Sequence, residues 1–166
     1  MENNRLSPQE IAKWLDLQPL SREGGMFRRT WQTAREVDGH PMGTAIYFML
    51  GGRAYSHLHR LPTDEVYHFY MGDAVRLSLI APDGTVTNIT LGQDLAAGQV
   101  PQAVAPAGYW QGSRVVEGGQ YALMGTTMCP GFDESDYEHA DAEKLKAQFP
   151  GAADVIDSLT GETVYL

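Results

Sequence analysis

Gly51-Gly52-Arg53-Ala54-Tyr55-Ser56-His57-Leu58-His59-Arg60-Leu61-Pro62-Thr63-Asp64-Glu65, closed by Gly72, is the stretch that decides the fold. Two histidines stand two residues apart, and a carboxylate follows after a short turn. On a strand, positions i and i+2 point to the same face. The spacing predicts that His57 and His59 aim two imidazoles into one cavity, with Glu65 returning on the next strand to face them. Two neutral imidazoles and a carboxylate form a donor set that suits a divalent transition metal.

The same punctuation continues on both sides. Extended segments are predicted at 26–33, 44–50, 57–59, 66–71, 75–80, 86–91, 102–105, 110–116 and 121–128, rich in β-branched and aromatic residues. Asp38-Gly39 is a hairpin signal, and Pro82-Asp83-Gly84 and Gly118-Gly119 mark further turns. Nine or so short strands with no long helix between them describe an antiparallel sandwich or barrel, not a βαβ sheet. Helices are expected only at the ends. Ser7, Pro8 and Glu10 form a capping box opening a helix over about 7–17, with Ile11, Trp14 and Leu15 as its apolar stripe. Asp141 caps a helical tail over about 141–160 that holds Leu145 and Phe149. The whole of 1–166 reads as one domain with its β body at about 26–128.

Bulk properties narrow the partners. The chain has 166 residues and a net charge of -9. An acidic surface argues against nucleic acid or an anionic membrane, since both need a basic footprint. The one cysteine, Cys129, cannot form an intrachain disulfide and is expected as a small buried residue. No run approaches the ~20 apolar residues of a spanning helix, and the polar start does not read as a signal peptide, so the expected setting is cytoplasmic.

These residues resemble the cupin superfamily. Its first motif is a glycine, five residues, His-x-His, a few residues, a glutamate, six residues and a glycine. Gly51, His57, His59, Glu65 and Gly72 match that pattern. The gap from His59 to Glu65 is five residues where the family has three or four, so Asp64 also competes for the acidic position. The second motif, Pro-x-Gly, two residues and histidine, appears as Pro106-Ala107-Gly108-Tyr109-Trp110-Gln111, with Gln111 in the third histidine's place. At finer grain the chain is similar to a small single-domain cupin family of bacteria and fungi. The matching stretches include Glu23-Gly24-Gly25, Ile46-Tyr47-Phe48, Asp64-Glu65, the run from Leu91 to Gly98, and Pro130-Gly131-Phe132. The resemblance implies an all-β double-stranded β-helix, the cupin jelly roll, with an N-terminal helix and short C-terminal helices. It implies a homodimer and carries no assigned reaction.

The candidate site follows. His57, His59, Glu65 and Gln111 would hold a divalent metal such as Zn, Ni, Mn or Fe. Without a metal, His59 would act as a general base oriented by Asp64 or Glu65, with Tyr67 or Tyr47 supplying a proton. Tyr47, Tyr55, Tyr67, Phe69 and Gln111 are candidate contacts for a small sugar- or nucleotide-like molecule. His68 alternates to the other face of its strand, and Glu23-Gly24-Gly25 reads as a turn feeding the first long strand. Arg53, Arg60 and Arg76 read as surface arginines. Three functions remain open at this level: a small-molecule binding cupin, a metal-dependent enzyme, and a metal-free isomerase- or epimerase-type enzyme. A structural or storage role is a fourth.

Overall fold

The computed structural model describes residues 5–166. In chain order the strands are β1 (Gln18–Pro19), β2 (Met26–Gln32), β3 (Glu36–Val37), β4 (His40–Pro41), β5 (Thr44–Gly51), β6 (Tyr55–Arg60), β7 (Glu65–Gly72), β8 (Val75–Ile80), β9 (Val86–Leu91), β10 (Gln102–Ala105), β11 (Trp110–Val115), β12 (Tyr121–Met128) and β13 (Glu138–His139). Eleven of them form two antiparallel layers, and β3 and β4 pair as a separate hairpin. One layer runs β1-β2-β5-β12-β7-β10 and the other β13-β6-β11-β8-β9. This is the expected jelly roll, and the nine predicted strands are all present. Asp38 and Gly39 both take positive φ, as a two-residue hairpin turn between β3 and β4 requires.

Alternation places the apolar residues between the layers. Phe48, Leu50, Tyr67, Phe69, Leu77, Leu79 and Met124 fill the inner core. The helices cover the outsides. Helix α1 (Pro8–Trp14) opens on the predicted capping box, with Ser7 accepting from the Glu10 amide and Glu10 accepting from that of Ser7. It ends at Trp14, short of Leu17, and Trp14 is 78% exposed. The buried contacts on the six-stranded sheet come instead from Ile11, Ala12 and Leu17. Helices α2 (Ala142–Gln148) and α3 (Ala153–Ser158) lay Leu145, Ile156 and neighbouring residues over Tyr55, Leu58, Ile80 and Trp110 on the back of the five-stranded sheet. Asp141 caps α2 as predicted. Cys129 is exposed, not buried, because it lies just beyond the end of β12. No helix among the described residues is long and apolar enough to cross a membrane.

One irregularity in β6 governs everything that follows. Gln111 pairs with His59 and Ser113 pairs with Ser56, so three steps on β6 face two on β11. His57 and Leu58 together oppose Gly112, a β-bulge. The bulge shifts the alternation by one. Tyr55 and Leu58 both point outward under the helices, while Ser56 and His59 point inward. Gly112 permits this approach, since a Cβ there would sit 2.9 Å from the Ser56 carbonyl oxygen.

Candidate functional site

A cavity of about 520 Å³ opens at one end of the sandwich. Phe27 and Arg29 of β2, Thr44, Ile46 and Phe48 of β5, and Thr126 and Met128 of β12 form one wall. His59 and Glu65 project into it from β6 and β7. The loop 19–23 and the segment 132–137 close the rim with Arg22, Glu23, Phe132 and Tyr137.

His59 is 1% exposed. Its Nδ1 lies 2.7 Å from the His57 carbonyl oxygen. A carbonyl only accepts, so Nδ1 carries the proton, and a neutral ring then has its lone pair on Nε2. Burial holds the ring below the ordinary histidine range, against Glu65 and the His57 carbonyl, which favour the cation. Nε2 stands 4.0 Å from Oε1 of Glu23.

Glu23 is the site residue that the sequence reading missed. It leads Gly24 and Gly25, both at positive φ. A Cβ at Gly24 would lie 2.5 Å from the Tyr55 carbonyl oxygen, so only glycine lets this loop lie against the start of β6. The Glu23 carbonyl accepts from the His57 amide at 2.8 Å, and its carboxylate accepts from Ser56 Oγ at 2.8 Å. Its side chain is 15% exposed. Burial pushes its carboxyl up to about 7, with the Ser56 hydroxyl pulling the other way. The acidic residue followed by paired glycines was the available signal.

Glu65, not Asp64, faces the cavity. Asp64 instead accepts from the Ala107 amide at 2.7 Å and pins the Pro106–Gly108 turn. Glu65 is pushed up by burial and then by Glu23, while His59, Thr126 and Gln111 oppose the rise. Beneath it, the Tyr67 hydroxyl donates to Gln111 Oε1 at 2.7 Å. Tyr67 and Gln111 are buried behind the cavity wall and do not line it.

The other expected residues are elsewhere. The bulge turns His57 away from the cavity. Its ring stacks on His139 at 3.7 Å and its Nδ1 lies 2.9 Å from the Leu58 carbonyl oxygen. Tyr55 faces the helices and donates to the Glu162 carbonyl. Tyr47 lies on the outer face against Tyr70, and Phe69 sits in the deep core. His68 faces outward, as alternation predicts, and meets Thr127. The aromatic residues that do line the cavity are Phe27, Phe48, Phe132 and Tyr137. Tyr137 lies over His59, with ring centroids 5.1 Å apart and planes within 20°.

The expected metal donors do not converge in this arrangement. His57 is outside the cavity, and Gln111 has its oxygen engaged by Tyr67. Among the described residues, no three His, Cys, Asp or Glu side chains come together as a metal site. The set His57, His59, Glu65 and Gln111 therefore does not fit a metal here. What the cavity does assemble is a neutral imidazole nitrogen beside two carboxyl groups shifted toward their protonated forms.

The comparisons agree with this architecture. A family model described as Cupin superfamily (DUF985) matches residues 9–140. A crystal structure of a Shewanella oneidensis protein is 32% identical, with a TM-score of 0.89 over 95% of this chain and 99% of that one. A hypothetical protein from Leishmania major is 28% identical, also at 0.89, over 95% of this chain and 100% of that one. Oxalate decarboxylase from Bacillus subtilis shares the fold at 19% identity and a TM-score of 0.58, over 90% of this chain and 38% of that one. No curated protein matches significantly.

Proposed function

The chain belongs to the cupin superfamily family DUF985, and from that premise we propose that its barrel cavity binds a small, sugar-sized organic molecule and moves a proton on it. The observation that carries this reading is the fixed tautomer of His59, whose Nε2 lone pair stands 4.0 Å from the Glu23 carboxyl inside a largely apolar cavity. A general base must be unprotonated and a general acid protonated at the working pH. His59 meets the first condition, and Glu23, held near 7, is poised for the second.

The chemistry is an isomerisation. His59 Nε2 takes a proton from one substrate atom, and the Glu23 carboxylic acid returns one to a neighbouring atom. The imidazolium and carboxylate left behind then exchange a proton, which resets the pair without any external reagent. Glu65 supports the imidazolium that forms. The aromatic walls supply the surface against which a ring would pack.

The test is solvent exchange. Aldoses, ketoses and nucleoside-diphosphate sugars are incubated with the protein in D₂O, and loss of C–H signal is followed by proton NMR. Exchange with at least one of them, abolished in His59→Gln, is expected. Exchange that survives in His59→Gln overturns the assignment of the base. Neither exchange nor binding across the panel overturns the reading.

A further inference from the structure

We propose that the molecule taken by this cavity is an anion, bearing a carboxylate or a phosphate, and that Arg22 at the rim holds its charge. The inference rests on the reading of the cavity as a small-molecule site and names the class of molecule.

Arg22 occupies an uncommon backbone position. Its φ is +68°, in the left-handed region that glycine enters far more readily than a residue with a side chain. Such positions persist where the surroundings enforce them, and they cluster at ligand sites. Here the conformation sends the side chain over the cavity rim. The guanidinium lies 4.8 Å from the centre of the Tyr137 ring, and Tyr137 lies in turn over His59. Guanidinium, phenol and imidazole form a stack running from the mouth to the reactive nitrogen.

Stacking engages the face of a guanidinium and leaves the N–H groups around its edge free to meet an anion. Among the described residues, the Arg22 side chain makes no hydrogen bond and no ion pair within 4.0 Å (the surrounding arginines do). Arg29, the other cation lining the cavity, donates to Gln32 and to the Phe132 carbonyl. Arg60 is held by both carboxylate oxygens of Glu138. Arg22 is thus the cavity cation with its donors uncommitted.

The charge balance points the same way. A protein of net charge -9 repels anions at long range, so an anion site needs a local cation. Phe27, Phe48 and Phe132 take the apolar body of the molecule.

The experiment compares benzoate, phenyl phosphate and neutral benzyl alcohol. Binding is read at low ionic strength from the Tyr137 and His59 resonances of isotopically labelled protein, so that only occupation of the cavity counts. At least one anion is expected to bind about tenfold tighter than benzyl alcohol. The tighter of the two anions identifies carboxylate or phosphate as the preferred group. Arg22→Ala and Arg22→Gly should each remove that advantage and leave benzyl alcohol unchanged. The glycine variant suits the left-handed backbone, so folding is preserved. Equal binding of neutral and anionic probes to the wild type overturns the inference and leaves the cavity reading intact. Unchanged anion affinity in both variants overturns it as well. If neither anion binds while benzyl alcohol or a sugar of the exchange panel does, the inference is overturned and the cavity reading stands; if nothing from either panel binds, both fail.

Discussion

Replacing Glu23 with glutamine should make the protein more stable in alkaline solution and change it little in acid. Glutamine keeps the shape of the side chain and can still accept the Ser56 hydroxyl, so the substitution removes the ionisable proton and little else. Burial raises the Glu23 carboxyl from 4.5 to about 7. Below pH 4.5 it is protonated in folded and unfolded chains alike. Between 4.5 and about 7 the unfolded chain has released the proton and the folded chain has kept it, so stability falls as pH rises. Above about 7 the loss is complete. Each tenfold step in an ionisation constant is about 1.4 kcal/mol, which makes the full loss roughly 3 kcal/mol. Glu23 also raises Glu65, and removing it relieves that pressure in the same direction. For a chain of this size, 1 kcal/mol corresponds to about 2–4 °C in Tm. Glu23→Gln should therefore melt roughly 6–12 °C above the wild type at pH 8, and the gap should close at pH 4. Calorimetry of the two proteins at pH 4, 6 and 8 measures it. A gap that is constant across this range would mean that Glu23 ionises as freely as a surface carboxylate. The acid role given to it would then have no basis.

Four other outcomes follow from the same geometry. Gly112→Ala should destabilise by about 1–3 kcal/mol in urea unfolding, because its Cβ meets the Ser56 carbonyl at the bulge. Tyr67→Phe removes the donor to Gln111 Oε1 and leaves a buried acceptor unmet, at a cost of about 1–3 kcal/mol in thermal unfolding. Tag-free protein offered Zn, Ni, Mn and Fe should show no metal uptake that depends on His59 by plasma mass spectrometry. One equivalent lost in His59→Ala would refute the argument that the donors fail to converge. The homodimer expected from the sequence should use the outer face of the six-stranded sheet, where Tyr70 and Val104 are 44% and 45% exposed. Light scattering should give twice the chain mass, and Tyr70→Lys should halve it. A monomeric wild type would refute that expectation.

The layers were legible because alternation and turn chemistry are local. Asp38-Gly39 turns where two positive φ angles are needed, and Ser7 caps where the first helical amides lack partners in the helix. Alternation also placed His68 outside and Glu65 inside. The candidate aromatics were less legible, since Tyr47, Tyr67 and Phe69 carry the same pattern whether they face a cavity, a wall or a core. Trp14 shows the same limit in a helix: its position in the stripe was right for burial, but the helix ended beneath it and nothing packs there. Arg22, Glu23, Phe132 and Tyr137 come from segments with no periodicity at all. Their places are set by loop geometry and by contacts across long stretches of chain.

The bulge in β6 has the largest consequence. Had β6 run regularly, His57 and His59 would share the inner face, and two imidazoles with Glu65 would present three donors to a metal. One extra residue exchanges His57 for Ser56 on that face. A ligand atom is replaced by a hydroxyl, and the hydroxyl serves Glu23. The displaced His57 still contributes through its backbone: its carbonyl fixes the proton on His59 Nδ1, and its amide holds the Glu23 carbonyl. The residue that spacing assigned as a metal ligand becomes the group that sets the His59 tautomer and the position of Glu23. Gly112 is what makes this possible, because any side chain there would press on the Ser56 carbonyl and favour the regular strand. Whether one imidazole or two face this cavity thus turns on a glycine that never touches it.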